Sequence, residues 1–221
     1  MSLIPTRAWR TPFLLFLIIL LPLVTSAMRT QWMMTTTPDT VGDPNFLHFL
    51  ELPLPILSHM IGGSFFCLVA ILQFTPEIRK SLGPWHRRIG RFAVYAAMVA
   101  ALSGVWMVIY YPANPMTHPA MSIGRFIFGC LMALAIIQSM IAVGRRDFTN
   151  HRAWMFRTFS IATAGATQGI LILATNTLTG IMTADSIAIM AWAGWIINST
   201  AAEILIRRAN RTAPYRAQKY A

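Results

Sequence analysis

The sequence predicts an all-α polytopic transmembrane bundle of about six helices, four of which form its core. Hydrophobic residues make up 56% of the 221 residues and charged residues only 11%, whereas soluble domains carry about a quarter charged residues. Six apolar stretches approach the roughly 20 residues needed to cross a bilayer core of about 30 Å. Basic residues are concentrated between alternate stretches, as expected of a chain that crosses a membrane repeatedly.

The first apolar stretch, residues 12–24, follows Arg7 and Arg10 and ends in small residues. It is predicted to be a retained helix, although a cleavable signal peptide has the same pattern. Residues 29–54 are polar and rich in Thr and Pro, which predicts an external loop. Five further apolar runs predict the other spans, several starting at a first-turn proline: 55–74, 84–111, 119–143, 150–178 and 186–206.

The chain therefore divides into three predicted parts. Residues 1–54 hold the first helix and the external loop, residues 55–178 form a four-helix membrane core, and residues 179–221 hold the last helix and a basic tail. Cys67 and Cys130 both lie inside apolar runs. They are predicted to be small membrane-buried hydrophobes rather than a disulfide or a redox pair.

The lysines and arginines predict the orientation. With the N-terminus inside, 16 of the 18 fall in cytoplasmic segments, and only Arg29 and Arg125 fall on the other side. This is a strong positive-inside signal, so we expect both termini in the cytoplasm and the chain in a bacterial inner membrane. The net charge of +11 then requires no nucleic-acid partner, and the basic loops are expected to contact anionic lipid.

Spans two and three resemble a tandem copy of spans four and five. Residues 63–73 echo residues 124–138, and each copy then crosses a basic loop and restarts with His-Arg. Two further histidines lie near the external ends of the same helices. The four spans thus offer two imidazole pairs, one at each membrane face: His86 with His151 inside, and His59 with His118 outside.

Two imidazoles from different helices are the axial ligands that a haem b held inside a bundle requires. Steps of 4, 7, 11, 14 and 18 residues from His86 meet only Gly and Ala on one helix face. The same steps from His151 meet mostly small residues, and such stripes leave room for a flat macrocycle. Arginines bind carboxylates through two parallel hydrogen bonds, which predicts the propionate partners: Arg87, Arg88, Arg91, Arg152 and Arg157 inside, and Arg125 outside.

The same features have simpler interpretations. Small stripes in membrane helices commonly serve close helix packing, and positive-inside flanking also produces His-Arg at helix starts. A non-catalytic assembly factor or partner subunit, which binds lipid or protein through these motifs, is therefore the alternative. A small transporter that uses Glu203 and Asn198 is a third interpretation, but Glu203 is expected to pair with Arg207 one turn later.

Three segments carry a family resemblance: residues 58–63, 85–91 and 144–157. They resemble an uncharacterised family of predicted bacterial membrane proteins, domain of unknown function 2306, over roughly residues 56–175. The sequence departs from that family at Gln168, where members often carry an arginine. This family resemblance implies a membrane protein and brings no activity with it.

The layout of the histidines is also similar, more distantly, to cytochrome b561-type electron carriers. In that group helices two and four ligate one haem, and helices three and five ligate the other. The resemblance implies that His59 with His118 and His86 with His151 are the ligand pairs. We therefore expect a dihaem b-type membrane oxidoreductase that transfers electrons within or across the membrane. Its donor would be a membrane quinol or a cytoplasmic redox partner.

Overall fold

The computed structural model describes residues 9–112 and 118–219, so Arg7 lies outside the described residues. Within these two ranges the backbone forms helices and turns and no strand. Six helical stretches in them are long and apolar enough to cross a membrane, which confirms the predicted fold class. The helices are α1 Arg10–Thr35, α2 Leu47–Glu51, α3 Leu54–Phe74, α4 Pro76–Leu82, α5 Pro84–Tyr110, α6 Pro119–Gly144, α7 Phe148–Ala162, α8 Ala164–Thr179 and α9 Ala184–Lys219.

Most spanning helices begin and end where the sequence predicts. Prolines occupy the first turns of α3, α5 and α6, where a missing N–H costs no hydrogen bond. The Asp147 carboxylate accepts the Asn150 N–H at 3.0 Å and caps α7. At the end of α8, Gly180 adopts the left-handed conformation with φ +66°, which glycine reaches without a steric cost.

The first helix and the following segment differ from the prediction. Helix α1 continues to Thr35, and part of the predicted external loop folds into α2. The Arg29 guanidinium lies 5.7, 5.2 and 5.1 Å from the ring centroids of Trp32, Phe46 and Phe49. These four residues form an aromatic cluster. Cation–π contacts of this kind stabilise a folded segment that its Thr and Pro content alone does not predict.

The fifth span is interrupted between α7 and α8. Asn198 of α9 compensates for the interruption, because its amide donates to the Ser160 carbonyl at 3.2 Å and to the Thr163 hydroxyl at 3.4 Å. The Thr167 hydroxyl in turn donates to Asn198 Oδ1 at 2.7 Å. Such side-chain bonds allow a helix to break at membrane depth, where water cannot satisfy the backbone.

Helices α3, α5, α6 and α7 pack in cyclic order around a common core, with α1 against α3 and α8, and α9 against α6, α7 and α8. The most extensive contact joins α3 to α5. A Cβ at Gly62 of α3 would lie 2.7 Å from the Ala96 carbonyl oxygen of α5, so only glycine allows this approach. Among the free cysteines, Cys67 is buried in this core and Cys130 is exposed on the bundle surface.

Two ends of the bundle are distinguished by charge. We call the end that carries the α3–α5, α6–α7 and C-terminal basic segments the arginine-rich face, and the other end the opposite face. Helices α5 and α7 begin at the arginine-rich face, and α3 and α6 begin at the opposite face. The four histidines of the core are therefore divided between the two faces, as the sequence indicates.

Candidate functional site

His86 and His151 both lie at the arginine-rich face. His86 lies in the first turn of α5 and His151 in the first turn of α7. Both side chains are half-buried, and the two imidazoles lie close enough for their charges to interact. Two helices that are diagonal in the four-helix core thus present their histidines at the same face of the bundle.

The His151 ring is held by Ser139 of α6, which is fully buried. Its Nδ1 lies 2.8 Å from the Ser139 hydroxyl oxygen and 3.2 Å from the Ser139 carbonyl oxygen. The Ser139 hydroxyl also points its donor at the His151 carbonyl, 3.5 Å away. Because acceptors face Nδ1, this nitrogen carries the proton. The unprotonated Nε2 is then the nitrogen that can bind another group.

The backbone of His86 has a polar neighbour in Gln73 of α3. The Gln73 amide donates from Nε2 to the His86 carbonyl oxygen at 3.4 Å. Gln73 Oε1 and His86 Nδ1 are both buried and have no hydrogen-bond partner among the described residues. Each histidine of the pair is therefore contacted by a polar side chain from the preceding spanning helix, α3 for His86 and α6 for His151.

The small stripe below His86 packs against α3. A Cβ at Gly90 would lie 4.0 Å from Gln73 Oε1, and a Cβ at Gly104 would lie 3.2 Å from the His59 ring. Ala97 and Ala100 are buried between these positions. The space that the sequence predicts along this stripe for a macrocycle is thus taken by α3. The imidazoles of the pair are donors that could ligate a haem iron, and the stripe itself offers no open space for that group.

Aromatic rings fill the core between α3 and α7. Phe74 stacks on Phe156 with centroids 4.6 Å apart, and Phe159 meets Phe74 and Phe66 edge-on at 5.2 and 6.5 Å. Phe66 is fully buried. The interior between α3 and α7 is therefore apolar and close-packed.

The predicted propionate partners differ in their surroundings. Four of them are exposed beside the histidine pair and can contact an anionic group: Arg87, Arg88, Arg91 and Arg152. The fifth, Arg157, forms a two-contact ion pair with Glu203 of α9, Nε to Oε1 at 2.5 Å and Nη2 to Oε2 at 3.1 Å. The expectation that Glu203 pairs with Arg207 is therefore wrong, because α7 packs beside α9 and brings Arg157 to the carboxylate.

His59 and His118 have separate partners near the opposite face. His59 Nδ1 lies 2.7 Å from the Ala100 carbonyl oxygen, and its ring lies within electrostatic reach of the exposed Arg125. Its side chain lines a cleft of about 100 Å³ between α1 and α3. His118 caps α6 by accepting the Ala120 N–H at 3.1 Å, and its Nε2 lies 3.6 Å from Asp185. The structure joins these two histidines by no contact among its described residues, and their pairing stays a prediction.

The site contains polar residues that the sequence did not single out. Gln73 appears in the repeat comparison as the counterpart of Gln138, but the side chain that contacts His151 is the neighbouring Ser139. Gln168, at the position of the departure from the family, donates to the Ala191 carbonyl at 2.8 Å. It therefore binds α8 to α9 rather than contacting a histidine.

Outside the spans, one histidine has a perturbed pKa. Burial lowers the pKa of His48 in α2, and the positive charge of Arg29 lowers it further, while Glu51 opposes the shift. The His48 ring lies 4.0 Å from Phe49 and 4.6 Å from Tyr111, measured between centroids. This histidine is therefore part of the packing at the opposite face and is separate from the pair at the arginine-rich face.

Comparison with known proteins places the chain beside a described family. The sequence profile of a family described as "Predicted membrane protein (DUF2306)" matches residues 56–206. No curated protein matches the chain, and no solved structure matches it. The match extends beyond the predicted 56–175 and includes all four core histidines, together with the α7–α9 ion pair.

Proposed function

This chain belongs to the DUF2306 family of membrane proteins, and from that premise we propose that it is a b-type haem protein that transfers electrons within or across the membrane. The description of the family names no activity, so the proposal depends on the geometry of this chain. One observation carries it. His86 and His151, on diagonal helices, lie at the same face of the bundle within electrostatic range of each other, and each residue is contacted by a polar side chain of the preceding spanning helix.

The hydrogen bond at the His151 ring is typical of histidines that ligate a metal. A ligating imidazole usually forms a hydrogen bond through its other ring nitrogen, which fixes the tautomer and the ring orientation. Ser139 supplies that bond for His151 and leaves Nε2 available. A haem held by two imidazoles supplies one-electron chemistry at the iron. The exposed Arg87, Arg91 and Arg152 are the propionate partners in this proposal, since Arg157 already binds Glu203.

A second haem at the opposite face is the further part of the proposal. His59 supports it, because its Nδ1 faces the Ala100 carbonyl and its Nε2 is not engaged there. The charge of Arg125 acts on the His59 ring, and this arginine is the propionate partner on that side in this proposal. His118 supports it less, since it caps its own helix and faces Asp185. The site at His86 and His151 is therefore the one to test first.

The proposal includes an orientation. We place the arginine-rich face in the cytoplasm of a bacterium, with the chain in the inner membrane and both termini inside, because basic residues concentrate at the cytoplasmic ends of spans. Anionic lipid headgroups would contact the exposed arginines there. A cytoplasmic redox protein reaches this face directly, and a membrane quinol reaches it from the bilayer, so either class can supply the electrons.

The test is a reduced-minus-oxidised absorption spectrum of detergent-purified protein expressed with ample haem. We expect a b-type spectrum that is lost or strongly reduced in His86→Ala and His151→Ala. His48→Ala, which changes a histidine remote from the pair, is the matched control and keeps the full spectrum. If His59→Ala and His118→Ala each lose about half of the wild-type intensity, the second haem is established. A colourless, folded protein refutes the proposal.

A second candidate function is favoured by one observation. The small stripe below His86 packs against α3, and four arginines beside the pair are exposed, as expected of a non-catalytic partner subunit or assembly factor that binds lipid or protein. Purification in a mild detergent distinguishes the two. A stoichiometric partner that is lost in an Arg87→Ala/Arg152→Ala double variant, with no chromophore, supports the partner subunit.

A further inference from the structure

We infer that Gln73 is the positioning residue of His86. Its amide oxygen Oε1 accepts a hydrogen bond from Nδ1–H of His86, directly or through one water molecule. This bond holds the ring with Nε2 available for a ligand. The functional role of this positioning rests on the proposed haem site. The tautomer itself is a property of the chain, and it is measurable without a haem.

The first argument is the correspondence between the two hairpins. In the second hairpin, Ser139 contacts both the carbonyl oxygen and the Nδ1 of His151, at 3.5 and 2.8 Å. In the first hairpin, Gln73 contacts the carbonyl oxygen of His86 at 3.4 Å. Gln73 and Ser139 each lie near the arginine-rich end of the spanning helix that precedes the one carrying the histidine. The same task is thus assigned to a hydroxyl in one hairpin and to an amide in the other.

The second argument is the pair of unpartnered atoms. Gln73 Oε1 and His86 Nδ1 are both buried without a hydrogen-bond partner among the described residues, whereas about nine in ten buried polar atoms are paired. One is an acceptor, and the other becomes a donor when protonated. A Cβ at Gly90 would lie 4.0 Å from Oε1, and Gly90 is one turn after His86 on the same helix face. Oε1 therefore lies at the face of α5 that carries the ring.

The third argument fixes the direction of the amide. Exchanging the oxygen and nitrogen of the Gln73 amide would place its oxygen against the His86 carbonyl oxygen, at the position where Nε2 now donates. Two acceptors cannot form a hydrogen bond, so the amide nitrogen stays on the carbonyl. The oxygen is then the atom left for the imidazole, which requires the proton on Nδ1.

The experiment compares Gln73→Leu with Gln138→Leu. Gln138 is the counterpart of Gln73 in the sequence repeat, so it is a matched control of the same residue type and change. Nitrogen-15 NMR of histidine-labelled protein without haem, assigned with His86→Gln, reports which ring nitrogen is protonated. We expect Nδ1–H in the wild type and in Gln138→Leu, and loss of that preference in Gln73→Leu. Haem titration should show affinity reduced roughly 10- to 100-fold in Gln73→Leu alone.

The outcomes separate this inference from the proposed function. A wild type that binds no haem refutes the proposed function, and the NMR comparison still decides the role of Gln73. A wild type that binds haem, with Gln73→Leu unchanged in both measurements, overturns the inference alone. If Gln73→Leu fails to fold, Gln73→Glu replaces it, since glutamate retains an acceptor of the same length. Loss of the Nδ1–H form in Gln73→Glu then overturns the inference, and its retention supports it.

Discussion

Arg157→Gln removes one half of the ion pair that joins α7 to α9. In the native protein the guanidinium meets the Glu203 carboxylate through two contacts, at 2.5 and 3.1 Å. The guanidinium carbon also lies 4.4 Å from the centroid of the Trp154 ring. The two charged side chains are 29% and 38% exposed, so the pair lies between the buried and the exposed limits.

The expected magnitude follows from those limits. An exposed pair contributes at most about 1 kcal/mol, and loss of one partner from a buried pair costs about 3–5 kcal/mol. Since about a third of each side chain is accessible, we expect Arg157→Gln to cost about 2 kcal/mol, including ~0.5–1 kcal/mol from the ring contact. Glu203→Gln should cost less, because Arg157 keeps its contact with Trp154.

The assay is reversible unfolding of the detergent-purified protein, with thermal melting as a second measurement. A cost of about 2 kcal/mol corresponds to a melting temperature lower by about 4–8 °C for a chain of this size. The matched control is Arg207→Gln, one turn after Glu203 on the same helix, which we expect to change stability by less than about 0.5 kcal/mol. If Arg207→Gln is as destabilising as Arg157→Gln, the reasoning is refuted.

Four further predictions concern other parts of the bundle. Gly62→Ala should lower the yield of folded protein, because its Cβ would lie 2.7 Å from a backbone oxygen. Gly165→Ala, which meets nothing within 4 Å, should be neutral or stabilise by up to ~1 kcal/mol in the same unfolding assay. Asn198→Leu should cost roughly 1–3 kcal/mol, because it leaves polar groups at the α7–α8 interruption without partners; an unchanged unfolding curve would contradict this. Because burial and Arg29 lower the pKa of His48, its contribution to stability is present above the ordinary pKa of about 6.5 and is lost as the pH falls through the lower folded value. After correction for the intrinsic pH dependence of exchange, the protection of the α2 amides should therefore fall on acidification in the wild type and not in His48→Gln.

The spans were predictable because hydropathy and first-turn prolines are properties of the local sequence. The boundaries of α3, α5 and α6 agree with the prediction within about two residues, a normal difference between assignments. The grouping of His86 with His151 was also expected, since helix direction places both at one face. These features depend on helix order and on little else.

The partners of the site residues were not predictable, because they depend on the rotation of each helix about its axis. The rule that residues four apart are neighbours points Glu203 toward Arg207, and it contains no information about α7. The repeat comparison selects Gln138, whereas one residue further along α6, about 100° around the helix, Ser139 contacts His151. The stripe of small residues below His86 was predictable from the sequence, but the helix that packs on it was not.

The close contact of α3 with α5 has a consequence for how the chain assembles in the bilayer. Helices that insert separately pair afterwards through small residues and short interhelical bonds, and this hairpin has Gly62 against Ala96 and the His59 bond to Ala100. Its two helices are joined only through the short α4, which favours early pairing. We therefore expect the first hairpin to pair during membrane insertion, with His59 already bonded to α5. The second hairpin would then pack against this preformed pair of helices.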